Sequence, residues 1–242
     1  MSNRPNILSI AGFDPSGGAG AIADVKTFEQ HKLQGLSVIT ANTIQTEDKF
    51  ESLNWVDEEV LFCQLNLLLD RYSIRYAKIG LVKDEVVLGR LLKRLKEQKI
   101  VCVWDPILKP TAGKIIHKEA QQFKGLLHGI DYITPNWEEI ESLTGLSGIE
   151  GGKSISHLTR VYLKGGHSDQ LARDHLIKEG KVSSFKPRKI GLPKHGSGCI
   201  FSSAFVANLA LGYPEIKACL RAKRYTEMRL LSNSSLLAYH ES

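Results

Sequence analysis

The chain predicts an α/β fold built on a mostly parallel sheet covered by helices on both faces. Three observations carry this. Short apolar runs alternate with amphipathic segments over the first 165 residues, and strand–helix alternation of that kind builds parallel crossover units. Several runs, NILSIAG (6–12) and IVCVWD (100–105) among them, are apolar on successive residues, as strands buried on both faces are. The 242 residues are 42% hydrophobic and 24% charged, which suits one globular domain with a sizeable core.

The elements follow in order. Strand 6–12 leads to a helical pattern over 19–33, and LSVITAN (36–42) to one over 57–70. RYAKIG (75–80) precedes DEVVLGRLLKRLKEQ (84–98), where Val87, Leu88, Leu91, Leu92 and Leu95 share one face of a 3.6-residue period. IVCVWD is followed by a helical pattern over 117–127, DYIT (131–134) by one over 136–144, and RVYLKG (160–165) is the sixth strand. Beyond residue 170, LARDHLIKEGKVSSFKP reads as a late β-hairpin turning at Glu179-Gly180. After KHGSGC come two long helices, about 198–211 and 214–239. With no linker, low-complexity tract or internal repeat, residues 1–242 read as a single domain.

Composition narrows the partners. The net charge is +6 with Lys and Arg dispersed. The most basic stretch, KACLRAKRYTEMR (217–229), is interrupted by apolar residues and reads as a solvated helix face rather than a nucleic-acid patch. A mild basic excess suits small anionic substrates. The cysteines, Cys63, Cys102, Cys199 and Cys219, show neither CxxC nor metal spacing, which points to a reducing, cytoplasmic setting. MSNRPN runs straight into a strand, so no signal peptide is expected. No apolar run approaches the ~18 residues of a membrane span.

Open sheets of this class bind ligands beyond the carboxyl ends of their strands. Here that rim carries DPSGGAG, Gln45, Gly80, Asp105, Asn136 and Lys164-Gly165-Gly166. Two nucleotide motifs almost fit the first loop. As a P-loop starting at Gly12, it has Gly18 and Ala19 where Lys and Ser/Thr must reach phosphate and Mg²⁺. As a dinucleotide fingerprint starting at Gly18, it stands too far beyond the strand end near Gly12. Two readings stay open: a helix entry whose glycines allow a close bend, or a backbone-lined pocket for a small flat ligand. Asp24 lies one turn inside and is either a ligand contact or an ordinary acid near a helix N-terminus.

The second loop, His195-Gly196-Ser197-Gly198-Cys199, opens an apolar helix. Unpaired first-turn N–H groups and the helix dipole make such an end an anion site. Cys199 would stand in that first turn, where a thiol's pKa falls. The alternative is an inert buried cysteine, as Cys102 in IVCVW is expected to be.

Together AGFDPSGGAG, TANTIQ (40–45), KIG (78–80), TPNWEE (134–139), LKGGH (163–167) and HGSGC (195–199) occur in an order that resembles the hydroxymethylpyrimidine/phosphomethylpyrimidine kinases of the ribokinase-like superfamily. The likeness spans about residues 6–212. It implies a three-layer α/β/α sandwich, usually a homodimer, that uses ATP and Mg²⁺ to phosphorylate a heteroaromatic alcohol and then its monophosphate. By position it implies that Gly12, Asp24 and Gln45 contact the pyrimidine. Gly196, Ser197 and Gly198 would form the anion hole, with Cys199 where related kinases carry a catalytic Asp. Asn136 and Lys164 would lie by ATP, and Asp105 and Glu139 by the metal. An amide at Gln45 suits an aminopyrimidine edge, since it both donates and accepts.

The chain departs from that pattern in three places. SGIEGGKSISHL stands where the family has a longer helix, the end is short, and Leu81 replaces a common Met. The rival readings are a pyridoxal/pyridoxine kinase on the same fold, an NAD-binding oxidoreductase, and a non-catalytic binding protein.

Overall fold

The computed structural model describes residues 4–108, 120–165, 173–189 and 191–240. Its strands are β1 (Asn6–Phe13), β2 (Gln34–Gln45), β3 (Phe50–Trp55), β4 (Ile74–Ile79), β5 (Val101–Trp104), β6 (Tyr132–Ile133), β7 (Arg160–Leu163), β8 (Asp174–Lys178) and β9 (Lys181–Phe185). Among the described residues they form one sheet in the order β3-β2-β1-β4-β5-β6-β7-β8-β9. The pairings from β2 through β7 are parallel, and β3, β8 and β9 join antiparallel. The six expected strands and the late hairpin are present, with ends moved by a few residues.

Strand β3 was not expected. FESLNW has only Phe50, Leu53 and Trp55 half-buried, with the rest exposed. An edge strand wet on both faces lacks the apolar run that marks a buried one.

Helices cover both faces of this sheet. On one side pack α2 (Glu58–Arg71), α3 (Glu85–Glu97), α4 (Trp137–Thr144) and α5 (Gly148–Ile155), with a 3₁₀ helix over Ala120–Gly129. On the other lie α1 (Gly20–Gln30), α6 (Ser197–Ala210) and α7 (Glu215–Leu230). Two cores result, and the strands feed them alternately. Leu8 and Ile10 of β1 face the α2/α3 core while Ile7 faces the α1/α6 core, as a two-residue period requires. The predicted face of α3 is buried in full, each side chain contributing about 1.5–3 kcal/mol at most. Helix α6 is buried from Cys199 to Leu209, as a helix apolar all round must be.

Four expectations change. The helix expected over 117–127 starts outside the described residues, and from Ala120 it is 3₁₀, with Gly125 and Gly129 disfavouring an α-helix. The shortened 145–160 segment still forms α5, whose glycines bring it close to its neighbours. A side chain at Gly148 or Gly152 would collide with Trp137 or Ile177. The last helix ends at Leu230 rather than 239. There Ser232, Asn233 and Ser235 turn the chain with local bonds, such as Ser235 N–H to Asn233 Oδ1 at 2.8 Å, which compete with helix. Finally, β1 carries a bulge between Ala11 and Phe13 against β2, so the strand bends at Gly12 on reaching the rim.

Candidate active site

A cavity of about 1280 Å³ runs along the carboxyl ends of the strands, where the topology leads ligands to be expected. Its lining includes Gly12, Gln45, Phe50 and Leu81 together with Pro187, Thr226 and Leu230. Asp105, Glu139, Lys164 and Gly196–Cys199 line it as well. The volume exceeds the usual span for one small ligand.

The two glycine loops meet at the start of α6. Gly196, its N-cap, has φ +71, and a side chain there would stand 2.0 Å from the Gly18 carbonyl oxygen. Gly20, at φ +57, leaves a similar gap for the Gly12 carbonyl oxygen. Only glycine meets both demands, a left-handed conformation and backbone against backbone. The Gly20 N–H, on the Cys199 side of this junction, favours the thiolate only slightly against the burial that raises it. Across the same junction the His195 ring nitrogen Nε2 lies 2.9 Å from Asp14 Oδ2.

Charge concentrates at Asp105, just past β5. It accepts from Lys164 Nζ at 2.7 Å, Thr134 Oγ1 at 3.1 Å and Ser202 Oγ at 3.1 Å. Burial would raise its carboxyl, but the nearby Lys164 and Lys78 ammonium groups hold it below the ordinary value. Glu139 is pushed up by burial, with Lys164 opposing. Lys164 bridges the two, standing 3.7 Å from Glu139 Oε2. Burial would lower its ammonium, but both carboxylates hold it protonated well above the normal range.

Asn136 and Glu139 form a capping box on α4. Glu139 N–H donates to Asn136 Oδ1 at 2.8 Å, and Asn136 N–H donates to Glu139 Oε2 at 2.7 Å. Their spacing therefore has a structural cause, while both still line the cavity.

Two expectations are corrected. Asp24 does not line the cavity. It is fully buried, accepting from Lys78 Nζ at 2.8 and 2.9 Å, Ser9 Oγ at 2.6 Å and Ser203 Oγ at 2.6 Å. Its carboxylate is already saturated by the protein. And the Cys199 thiol is not lowered. Burial pushes it up to about 11, with Lys78 pulling only part of the way back. The other candidates, Gly12, Gln45, Asp105, Asn136, Glu139, Lys164 and Gly196–Cys199, are brought together on one cavity wall.

The sequence reading missed Asp14, His195, Lys194 and Lys78. The first two were visible as polar residues inside the glycine motifs, and D-P-S is a turn signal in its own right. Nothing local marks Lys78 within an apolar strand as the buried partner of Asp24.

For a metal ion, no group of three His, Cys, Asp or Glu among the described residues is disposed to hold one. The pair Asp105 and Glu139 nonetheless fits magnesium, which uses one or two carboxylates, keeps waters and shares substrate phosphate oxygens. No helix among the described residues is long and apolar enough to cross a membrane.

The chain is similar to known kinases in sequence and in fold. A sequence model of the family described as phosphomethylpyrimidine kinase matches residues 14–242. A hydroxymethylpyrimidine/phosphomethylpyrimidine kinase of Aquifex aeolicus is 31% identical over 243 residues, covering 95% of each chain. Among solved structures, phosphomethylpyrimidine kinase from Clostridium difficile 630 aligns with a TM-score of 0.78 at 30% identity, over 92% of this chain and 98% of that one. The pyridoxal kinase of Staphylococcus aureus in complex with ADP aligns with a TM-score of 0.85 at 24% identity, over 99% and 94%, which is a likeness of fold.

Proposed function

The chain belongs to the phosphomethylpyrimidine kinase family, and from that premise we propose how it phosphorylates its substrate. It transfers the γ-phosphoryl group of ATP to the hydroxymethyl oxygen of 4-amino-5-hydroxymethyl-2-methylpyrimidine. It transfers a second to the resulting monophosphate, giving the pyrimidine pyrophosphate of thiamine biosynthesis. The observation that supports the residue assignments is the single cavity whose lining includes Lys164, Asp105, Glu139 and the α6 N-terminus.

In this reading Gly12 and Gln45 hold the pyrimidine. The Gln45 amide donates to and accepts from the aminopyrimidine edge. ATP lies near Thr226 and Leu230, with its phosphates toward Lys164 and Asn136. First-turn N–H groups at Gly196, Ser197 and Gly198 take the charge that develops on the moving phosphoryl group. Asp105 and Glu139 would hold Mg²⁺ through its waters, and that ion supplies positive charge to phosphate oxygens. Cys199 keeps its proton near neutral pH, because burial raises the thiol. Its part is to hold the hydroxymethyl group in line, and a loose phosphoryl transition state asks for positioning more than for a strong base. The same reading includes a homodimer in the cytoplasm, and sedimentation of the purified chain tests the assembly.

The deciding experiment is ADP release with hydroxymethylpyrimidine, its monophosphate and pyridoxal side by side. Release with both pyrimidines is expected. Release with pyridoxal alone would replace the pyrimidine by the vitamin B6 reading, and release with none would remove the kinase.

A further inference from the structure

We propose that Asp14 and His195 are a positioning pair for this phosphoryl transfer. Their contact sets how far the acceptor-side glycine loop stands from the helix end facing the phosphoryl group. The proposal rests on the kinase reading above.

The two residues lie 181 positions apart in the chain and are 2% and 6% exposed. Burial would raise the Asp14 carboxyl, but hydrogen bonds from His195, Ser16 and Ala19 hold it below the usual carboxylate range. An ionised carboxylate can only accept, so the His195 ring carries its hydrogen on Nε2 and donates it. Among the described residues, its Nδ1 has no hydrogen-bond partner. Among the described residues Asp14 is thus the side chain that hydrogen-bonds the ring.

Each residue is rigidly joined to one side of the site. The Asp14 carboxylate also accepts from Ser16 N–H at 2.9 Å, Ser16 Oγ at 2.8 Å and Ala19 N–H at 2.8 Å. It therefore gathers residues 14–19 into one turn that moves with Gly12 and Gly20. His195 directly precedes Gly196, and its own N–H donates to the Leu236 carbonyl at 2.9 Å. It therefore moves with the start of α6 and with Cys199.

The junction is close-packed, with the Leu237 side chain as well as the His195 ring against Gly18. A Cβ on Gly18 would lie 2.7 Å from the His195 ring, and one on Gly196 would lie 2.0 Å from Gly18 oxygen. Any change in the Asp14–His195 contact must pass into both backbones. Cys199 stands in the first turn of α6, three residues after Gly196, so that change reaches the helix end on which it sits. Neither side chain needs to touch a substrate.

The test compares wild type with His195→Leu, His195→Gln, Asp14→Asn and the His195→Leu/Asp14→Asn double variant. It reads kcat, both KM values and the ratio of ADP released to pyrimidine phosphate formed. Misplacement at a distance from the chemistry can cost about 10²-fold. His195→Leu should therefore lose about 10- to 100-fold in kcat, with the ATP KM little changed. Its ADP-to-product ratio should rise above that of wild type, because water reaches the phosphoryl group when the hydroxymethyl oxygen is misplaced. His195→Gln, whose amide N–H can reach the same carboxylate oxygen, should recover much of kcat. The double variant should be no slower than the slower single, as for two ends of one contact. A folded His195→Leu with wild-type kcat and ratio overturns the proposal. So do equal losses in the Leu and Gln variants with the ratio unchanged. A wild-type chain that turns over no hydroxymethyl ring overturns the kinase reading, and this proposal with it, which the wild-type control separates from the other outcomes.

Discussion

At Cys199 two influences on the thiol oppose each other. Burial raises it to about 11, while the Lys78 ammonium pulls it down. The balance leaves a neutral thiol across the physiological range, despite its seat in the first turn of α6. Cys199→Ala should lower kcat by about 10²-fold, the size of loss that follows when a reacting group is misplaced by about 1 Å. It should leave the shape of the kcat–pH profile below about pH 9 unchanged, because the thiol does not titrate there. Near-normal turnover in that variant would take Cys199 out of the mechanism. Asp24 makes a related point at the same scale. Its position in α1 suggested a ligand contact, but it is the counter-charge of a fully buried lysine. A buried ammonium without it would be costly, so Asp24 supports the wall behind the cavity.

The element that the sequence misread most is the chain after α7. Residues 231–240 leave the helix and fold back over both glycine loops. Lys194 Nζ, on a residue only 4% exposed, bonds the Asn233 carbonyl at 2.7 Å and Asn233 Oδ1 at 2.9 Å, and also reaches the Ser235 carbonyl. Leu237 occupies the space beside Gly18. The tail thus closes the outer side of the junction that Asp14 and His195 hold from within. Ending the chain after Leu231 removes the acceptors of a buried lysine, and leaving such a group unsatisfied costs about 1–3 kcal/mol. A urea melt should show a loss of that size, together with a lower kcat. Unchanged stability and kcat would mean that the tail only covers the loops.

Over the whole molecule, the two cores and the sheet form a scaffold, and the ligands sit along one of its edges. The cavity of about 1280 Å³ is part of that scaffold, so ligand binding should stabilise the folded state directly. A non-hydrolysable ATP analogue at 100 times its Kd should add about 2.7 kcal/mol. For a chain of this size that is a rise in Tm of about 5–10 °C. Hydroxymethylpyrimidine should raise it further, and the absence of any shift with the analogue would place the nucleotide elsewhere. Much of this scale was legible in advance. The period of α3, the continuous apolar strands and the Glu179-Gly180 hairpin are local patterns. They predicted the layers, and the positions after each strand predicted the rim on which Gln45, Asp105, Asn136 and Lys164 stand, while Gly12 and Glu139 came from the family resemblance. The edge strand β3 escaped because it buries too little to leave a pattern.

By itself the sequence determined the alternation of elements, the two glycine loops and the order of motifs that marks the family, because those are set by spacing along the chain. Only the tertiary structure decided that the loops interlock, that Asp14 meets His195 across 181 residues, that Asp24 answers Lys78, and that Cys199 stays protonated. The physical reason is common to all four. Contact, desolvation and charge pairing depend on distances in space between segments remote in sequence, and those distances exist only once the sheet has brought the segments to the same rim.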